Sequence, residues 1–220
     1  MGSNQKVDSL KKLYLMEYLK MKNLKNRSGF TLIELLVVIA IIAILSVVVI
    51  LTLNPAELLR QARDSNRVSD MATLKSALSL FEADVATSSP SALGLYGTLY
   101  GNSGAAPTTS TYVGAASGNW GYAAASVSLV ATSSARTVGG AGWIPTNLSA
   151  ISSGAPIGAL PVDPVNNASY TYTFVASSTV FKLAAKMESS KYSFGGGGDV
   201  VSTDGGNNTT TYEQGTNLSL

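Results

Sequence analysis

The chain has 220 residues, no cysteine and no histidine, and only 13% of its residues are charged. This composition excludes a disulfide framework, a thiolate metal site and a histidine general base, so an enzyme is not expected. The formal net charge of +2 divides into +5 for residues 1–29 and −3 for residues 30–220, and no basic patch predicts a nucleic-acid partner.

The first segment, residues 1–29, is a basic leader with seven lysine and arginine residues and two acidic residues. Positive charge beside an apolar segment favours the cytoplasmic side of a membrane. We therefore expect a cytoplasmic N-terminus and, beyond the apolar segment, a translocated C-terminal domain.

An apolar segment, residues 30–53, follows the leader without a polar spacer. From Leu35 to Leu53 only Ser46 and Thr52 are polar. About 20 apolar residues in a helix, each with a rise of 1.5 Å, span the roughly 30 Å hydrocarbon core of a bilayer. The segment is therefore predicted to be a transmembrane helix.

Glu34 is the one charged residue in this segment. A carboxylate within a bilayer costs about 2.5–3.5 kcal/mol on insertion scales, so it either lies at the headgroup boundary or has a cationic partner. The segment contains no Lys, Arg or His. If the chain is cut before Phe30, the new α-amine of a neighbouring copy provides that partner.

The sequence GFTLIE at residues 29–34, with the apolar residues after it, resembles the N-terminal signature of type IV pilins and type II secretion pseudopilins. The resemblance implies that a prepilin peptidase cuts between Gly29 and Phe30 and methylates the Phe30 amine. It implies that Glu34 aligns subunits during assembly. It also implies an α+β pilin-like fold, in which a long N-terminal membrane-spanning helix packs on a small C-terminal antiparallel β-sheet domain with a loop-rich middle.

Residues 54–86 are predicted to form an amphipathic second half of this helix. Apolar side chains recur at three- and four-residue steps and form a stripe that can pack against a domain: Met71, Leu74, Leu78, Phe81 and Val85. The dipeptide Asn54-Pro55 has two interpretations. The proline either interrupts a continuous helix or occupies the first position of a new helix that Asn54 caps.

Charged residues of the same segment lie largely off that stripe: Arg60, Arg63, Asp64, Arg67, Asp70 and Lys75. We interpret them as a charged face that contacts neighbouring subunits in a filament. Replacing the three arginines with glutamate is then expected to weaken assembly without affecting folding.

Residues 87–159 are rich in Ser, Gly, Thr and Ala, and are predicted to be a variable region of loops and strands that covers one side of the helix. They also contain large aromatic side chains, which a flexible linker would lack: Tyr96, Tyr100, Tyr112, Trp120, Tyr122 and Trp143. The pattern from Trp143 to Ile151 predicts a short helical turn.

Residues 160–194 begin with the sequence LPVDPVNN, which resembles the Pro-x-Asp-Pro-x-Asn turn before the sheet of major pseudopilins. Prolines restrict φ, and Asp and Asn side chains bond to nearby backbone, so a turn is expected. Alternating side chains at residues 170–175 and 180–187 predict two antiparallel strands, joined by a turn at residues 176–178.

Residues 195–220 are predicted to be a Gly-, Asp- and Asn-rich C-terminal loop. In some major pseudopilins a loop near this position binds calcium, whose ligands are carboxylate, amide and backbone oxygens. The resemblance therefore implies a calcium site formed by Asp199, Asp204 and Glu213. The alternative is that these acidic side chains are simply solvated.

The expected function is that of a structural subunit of a type IV pilus-like filament or a type II secretion pseudopilus, drawn from a pool in the inner (cytoplasmic) membrane. The resemblance implies several partners: a prepilin peptidase/methyltransferase, further copies of the chain in a helical filament, other (minor) pilins, and an inner-membrane assembly platform driven by an ATPase. The Pro-x-Asp-Pro turn, the two-stranded C-terminal sheet and the lack of cysteine favour a pseudopilin, whereas the long middle region favours a surface-exposed pilin.

A second hypothesis is a singly anchored adhesin or binding module that stays in the membrane, with Trp120, Tyr122 and Trp143 exposed for contact with sugars or surfaces. Such an anchor has no need for Glu34 or for the Gly29-Phe30 junction. A third hypothesis, a membrane-bound hydrolase, is disfavoured because the chain has no histidine and no convincing carboxylate pair.

Overall fold

The computed structural model of the protein describes residues 3–24, 29–85, 93–94, 98–102, 120–122, 129–177 and 179–220. The chain divides into two units, Met1–Leu53 and Asn54–Leu220. Because the described residues combine long helices with a small β-sheet, the predicted α+β class is confirmed.

The first unit contains α1 (Ser3–Leu24), within the leader, and α2 (Leu32–Leu53), within the apolar segment. Among the described residues, α2 is the one helix long and apolar enough, by length and composition, to cross a membrane. None of its side chains is buried within the protein. A helix this apolar and this exposed requires lipid or other apolar helices around it.

The second unit begins at Asn54 and continues into α3 (Pro55–Asp84). Asn54 has φ 40° and ψ 72°, a left-handed conformation that ends one helix before the next begins. Proline suits the first position of α3 because the N–H that it lacks has no helical partner there. The new-helix interpretation is confirmed and a single helix through residues 30–86 is wrong, although the Asn54 side chain makes no capping hydrogen bond.

The apolar stripe of α3 packs against the β-sheet and the segments beside it. Four of the five predicted stripe side chains are fully buried or nearly so: Met71, Leu74, Leu78 and Phe81. Val85 is partly buried against the same core. The docking of this helix on the C-terminal domain therefore follows the period that the sequence shows.

The sheet has five strands in the order β2-β1-β3-β4-β5. Their bounds are β1 (Thr98–Gly101), β2 (Leu129–Thr132), β3 (Thr173–Ser177), β4 (Val180–Ala185) and β5 (Tyr212–Gly215). Four strands pair in antiparallel fashion, and β2 lies parallel to β1 at one edge. The predicted hairpin is confirmed as β3 and β4, which lie inside a larger sheet than the sequence indicated.

The first strand of the hairpin is shifted towards the C-terminus relative to its prediction, whereas β4 begins at Val180 as predicted and ends at Ala185, two residues before the predicted limit. β3 begins at Thr173 rather than residue 170, because the Tyr172 N–H donates to Asn102 Oδ1 at 3.0 Å and the Asn102 N–H donates to the Tyr172 carbonyl. β3 then continues through Ser177, so the turn falls later than predicted. Ser178, within that turn, lies outside the described residues.

Both faces of the hairpin are buried, whereas its alternating pattern predicted one buried face. Phe174 and Leu183 face α3 and the main core, and Val175 and Ala184 face a second core. The second core is completed by residues distant in sequence: Leu99, Trp120, Tyr122 and Leu220. Both faces of the hairpin are therefore covered, one by the main core, to which α3 contributes, and the other by the second core.

The C-terminal segment, residues 195–220, is not a loop throughout, and that prediction is wrong for β5. This strand pairs with β4, with Gly215 opposite Lys182. A Cβ on Gly215 would collide with the backbone of Phe181 and Lys182, so the close approach of the two strands requires glycine there. Four residues between polar loops carry too little pattern to predict a strand.

The middle region, residues 87–159, contains β1 and β2 and supplies aromatic residues to the cores. A 3₁₀ helix at Leu148–Ala150 confirms the predicted helical turn. Tyr100 is partly buried against the main core. Tyr96 and Tyr112 lie outside the described residues.

Candidate functional site

The residues predicted for processing lie just before α2. Gly29 and Phe30 precede the helix, and the Phe30 side chain is exposed. No described atom lies within 4 Å of the position that a Cβ on Gly29 would occupy. The bond between them is therefore outside regular structure and free of packing, as a peptidase substrate must be.

Thr31 and Glu34 form a capping box at the start of α2. Thr31 Oγ1 accepts a hydrogen bond from the Glu34 N–H at 3.2 Å, and Glu34 Oε2 accepts from the Thr31 N–H at 2.8 Å and hydroxyl at 2.7 Å. This reciprocal pattern satisfies two amide donors that a helix N-terminus leaves unpaired. Glu34 thus has a partner in its own chain. The T-x-x-E spacing of residues 31–34 is the sequence signal for this partner.

A buried group of charges joins α3 to the turn before the sheet, with Arg67 at its centre. Arg67 Nε and Nη2 donate to Asp163 Oδ2 and Oδ1 at 2.6 and 2.8 Å, the bidentate geometry of strong arginine–carboxylate pairs. Asp163 Oδ1 also accepts the N–H groups of Val165 and Asn166. The acidic residue of the Pro-x-Asp-Pro turn therefore holds both the turn and the helix.

Two further carboxylates complete this group. The Asp64 carboxylate accepts from Arg67 Nη1 at 2.7 Å and from the N–H groups of Glu188 and Ser189. Glu188 Oε1 lies 2.6 Å from Arg67 Nη2, and both Glu188 oxygens accept from Arg63. We refer to five residues as the ionic cluster: Arg63, Asp64, Arg67, Asp163 and Glu188.

Arg67 and Glu188, both members of the ionic cluster, have pKa values displaced from their ordinary ones. Burial alone would lower the pKa of Arg67, but the hydrogen bonds and charge of Asp163, with help from Asp64 and Glu188, raise that pKa above its ordinary value. A hydrogen bond from Arg63 lowers the pKa of Glu188 and outweighs the opposing effect of burial. Arg67 and Glu188 are therefore both charged at neutral pH.

The prediction that Arg67 and Asp64 belong to a face contacting neighbouring subunits is wrong. Both side chains are 0% exposed and pair within the domain, whereas the Arg60 side chain is 52% exposed. Arg67 lies four residues before Met71, so it extends the buried stripe towards the helix N-terminus. That spacing was the signal in the sequence for the burial of Arg67. A change at Arg67 therefore affects the folding of the domain directly, and assembly only as a consequence.

Asp199, the first predicted calcium ligand, organises its own loop. Its Oδ1 accepts the N–H groups of Val201 and Ser202 at 2.9 and 3.0 Å, and its Oδ2 accepts the Gly195 N–H at 2.7 Å. These hydrogen bonds, first that from the Ser202 amide, lower the pKa of Asp199 to about 2. The carboxylate is thus engaged by the backbone around it.

Asp204 and Glu213 lie together beside a buried lysine, Lys182. Glu213 Oε1 is 2.6 Å from Lys182 Nζ, and both side chains are 0% exposed. Asp204 Oδ2 accepts the Glu213 N–H at 2.7 Å, and burial raises the pKa of Asp204 to about 6. Lys182 Nζ also donates to the carbonyl oxygens of Gly121 and Leu218. An ammonium group therefore already neutralises Glu213.

The structure brings together two of the three predicted calcium ligands, Asp204 and Glu213. The third, Asp199, instead accepts hydrogen bonds from the backbone of its own loop. In the described part of the chain, no group of three or more His, Cys, Asp or Glu residues is arranged to hold a metal ion. Calcium binding therefore stays a prediction, and it now rests on Asp204 and Glu213.

We expect Asp199→Ala to lower the melting temperature equally with calcium and with a chelator, because the change removes the hydrogen bonds that hold its loop. Asp204→Ala is the matched test for the metal. If Asp204 and Glu213 bind calcium, the ion raises the melting temperature of the parent but not of this variant. The measurement is thermal unfolding of the full chain in detergent. A calcium effect lost in Asp199→Ala and kept in Asp204→Ala would contradict both assignments.

Three aromatic side chains that the adhesin hypothesis placed at the surface belong to the core. Trp120, Tyr122 and Trp143 are each 0% exposed. The Tyr122 hydroxyl lies 2.6 Å from Thr173 Oγ1, and Trp143 Nε1 donates to the Pro161 carbonyl at 3.0 Å. They pack inside the domain and offer no surface to a sugar, so that hypothesis loses the residues on which it depended.

Comparison with known proteins finds a family motif at the N-terminus. Residues 24–50 match the family described as the prokaryotic N-terminal methylation motif. The matched segment contains the Gly29-Phe30 junction, the capping box and most of α2. Comparisons with curated proteins and with solved structures give no match.

The matched motif indicates a type IV pilin-like or pseudopilin protein, as the resemblance implied. It implies processing by a prepilin peptidase and assembly with other pilins, and it favours a structural subunit over an enzyme. The apolar helix α2 fits a membrane anchor. With an N-terminal apolar helix and a small, mainly antiparallel C-terminal sheet, the layout is pilin-like.

Proposed function

We propose that the protein is a structural subunit of a type IV pilus-like filament or a type II secretion pseudopilus. The observation that carries this proposal is the methylation motif at residues 24–50, which runs from the leader into the exposed apolar helix α2. In this proposal the chain lies in the inner membrane with a cytoplasmic N-terminus and an external C-terminal domain. It loses residues 1–29 and is then extracted into a filament.

The exposed surface of α2 supports an assembly role. Lipid covers this surface in the membrane, and its transfer to water would cost about 0.8 kcal/mol for each CH₂ group exposed. Packing against the α2 helices of neighbouring subunits avoids that cost. The core of the proposed filament is therefore a bundle of these helices.

Glu34 would set the register of that bundle. Thr31 uses only the Oε2 atom of Glu34, so the other carboxylate oxygen can accept from a second group. The methylated Phe30 amine of a neighbouring subunit is a cation of suitable size, and an ion pair is stronger in an apolar core than in water. One alignment of neighbouring helices makes this pair, and other alignments leave the carboxylate without a cation.

The proposed partners act on the subunit one after another, from its processing to its assembly. A prepilin peptidase/methyltransferase acts first at Gly29 and Phe30. An inner-membrane assembly platform with its ATPase, other (minor) pilins and further copies of this chain act afterwards. The buried aromatic residues, the ionic cluster and the sheet keep the C-terminal domain folded while α2 moves from lipid into the filament.

Intact-mass measurement of the protein in material sheared from the cell surface tests this function. We expect a chain that begins at N-methylated Phe30, and Gly29→Leu should give the uncut mass as a control. Abundance in the sheared fraction supports an extracellular pilus, and confinement to membranes supports a pseudopilus or a minor subunit. A parent chain that keeps residues 1–29 in every fraction would contradict the proposal.

A further inference from the structure

A loop at residues 189–199 presents an exposed phenylalanine, Phe194. Its side chain is 63% exposed, and among the described residues of the domain it is the one aromatic side chain in the set of exposed large apolar residues. The other members of that set are Leu58, Leu59, Leu80 and Val165. The chemistry of the loop around Phe194 distinguishes it from these scattered aliphatic residues.

Hydrogen bonds within the loop hold Phe194 in place. Three of its glycine N–H groups donate to acceptors in the same loop. A Cβ on Gly196 would collide with the carbonyl oxygens of Ser190 and Lys191, so this close approach requires glycine. The glycine run is therefore a compact turn rather than a flexible linker, and burying Phe194 against a partner costs little ordering entropy.

The loop is attached to the end of the domain that is nearest in sequence to the membrane span. Glu57 Oε1 accepts from the Ser190 N–H at 2.7 Å and from its hydroxyl at 2.8 Å. Glu57 is four residues beyond Leu53, the last residue of α2, and four extended residues reach at most about 14 Å. The loop is thus tied to the first turn of α3, the part of the domain that directly follows the span in the chain.

The residue types of the loop suit the interface between membrane and water. Phenylalanine, like tryptophan and leucine, is typical of the apolar face of segments that lie at the headgroup boundary of a membrane. Lysine can lay its methylene groups on apolar surface while its ammonium stays in water. The loop places Phe194 three residues after Lys191, and both of these residues are exposed, whereas Tyr192 is partly buried against the main core. Because much of its backbone is hydrogen-bonded internally, the loop loses little when its tip leaves water.

We propose that Phe194 inserts into the headgroup region of the membrane that α2 spans, and so holds the domain at a defined depth before extraction. A lipid surface is the partner because one protruding aromatic side chain offers far less area than the roughly 1,200 Å² of a stable protein interface. The inference rests on the proposed membrane anchor. It adds a second, reversible contact with the bilayer to the one that α2 makes.

Site-specific labelling of the full chain in vesicles tests the insertion. The chain has no cysteine, so Phe194→Cys provides a single site for an environment-sensitive dye. Leu80→Cys is the matched control, because Leu80 is 42% exposed and lies about 35 Å further along α3 than Glu57. Both chains are reconstituted into phosphatidylethanolamine and phosphatidylglycerol vesicles with brominated lipid. We expect both to float with the vesicles and dye quenching to be several-fold stronger at position 194.

A second variant separates the effect of the loop conformation on quenching from the effect of the dye itself. Gly196→Ala, added to labelled Phe194→Cys, prevents the loop from closing and leaves the labelled position in the chain. We expect it to reduce the quenching at position 194, with thermal unfolding of the same sample as a check that the domain is folded.

Several results would overturn the inference. Chains that float but show no quenching at position 194, or equal quenching at both positions, would contradict the loop contact. They would leave the membrane anchor unaffected. Cross-linking between copies through Phe194→Cys without lipid quenching would assign the loop to a second subunit. Chains that fail to float would contradict the anchor itself, and the loop contact with it.

Discussion

Arg67→Ala is expected to lower the free energy of unfolding of the C-terminal domain by about 3–5 kcal/mol, the usual cost of breaking a buried ion pair from one side. The guanidinium of Arg67 lies 2.6–2.7 Å from oxygens of three carboxylates. Without it those carboxylates remain buried with less positive charge beside them. Since whole domains are stable by only about 5–15 kcal/mol, this one change removes a large part of the total.

Denaturant unfolding of the full chain in detergent measures this loss. Both tryptophans, Trp120 and Trp143, are buried in the domain, so their fluorescence reports its unfolding. Arg60→Ala is the matched control, because Arg60 is on the same helix with a side chain 52% exposed and only a 3.6 Å contact with Glu57. A surface pair of this kind is worth at most about 1 kcal/mol. Equal midpoints for the two variants would contradict the structural role of the ionic cluster.

Acid titration gives a second readout of the same change. The pKa of Glu188 is lower in the folded protein than its ordinary value of 4.5. The stability that it contributes is therefore present above that value and is lost as the pH falls through the lowered one. Because Arg67 contributes to this lowering, Arg67→Ala should reduce the acid dependence of unfolding relative to the parent.

Glu34→Ala is expected to abolish filament formation while the chain stays folded and membrane-bound. Glu34 lies outside the Asn54–Leu220 unit that contains both cores, so the domain does not depend on it. The change makes α2 more apolar, which favours the membrane. What is lost is the carboxylate that would pair with the Phe30 amine of a neighbour. The measurement is the yield of processed chain in the sheared fraction against that in membranes.

Two further variants separate the intersubunit charge from the capping box. Glu34→Gln keeps a side chain that can complete a capping box but removes the charge, and Thr31→Ala removes the cap partner but keeps the carboxylate. We expect Glu34→Gln to fail as Glu34→Ala does, and Thr31→Ala to retain more filament. The opposite pattern, assembly with Gln and none with Thr31→Ala, would show that assembly needs the helix cap rather than the charge.

Several elements could be predicted because their signals lie within one short stretch of chain. The apolar run to Leu53 predicts α2 by its length alone. The three- and four-residue spacing from Met71 to Phe81 predicts the buried face of α3, and alternation after residue 170 predicts the β3–β4 hairpin. In each case a local repeat matches the period of the element that forms.

Other features could not be predicted because their partners are far apart in sequence. Arg67 forms a hydrogen bond with Asp163, 96 residues away. Nothing in the sequence around either residue identifies the other as its partner. The same holds for Lys182 and Glu213, which are buried together in neighbouring strands. A charged residue read alone is assigned to the surface, since lysine, arginine, glutamate and aspartate are almost never fully buried unless paired.

The amino-acid sequence by itself predicted the apolar helix α2 and the α+β class, which the structure confirms, because length and spacing are properties of contiguous residues. The cleavage junction between Gly29 and Phe30 comes from a motif of contiguous residues in the same way and stays a prediction. Only the tertiary structure decided which carboxylates pair with Arg67 and that Asp199 holds a loop together. It also decided that Phe194 stands exposed on a rigid turn. Burial and pairing depend on which distant segments meet, and the free energy of a charge depends on that environment more than on its neighbours in the chain.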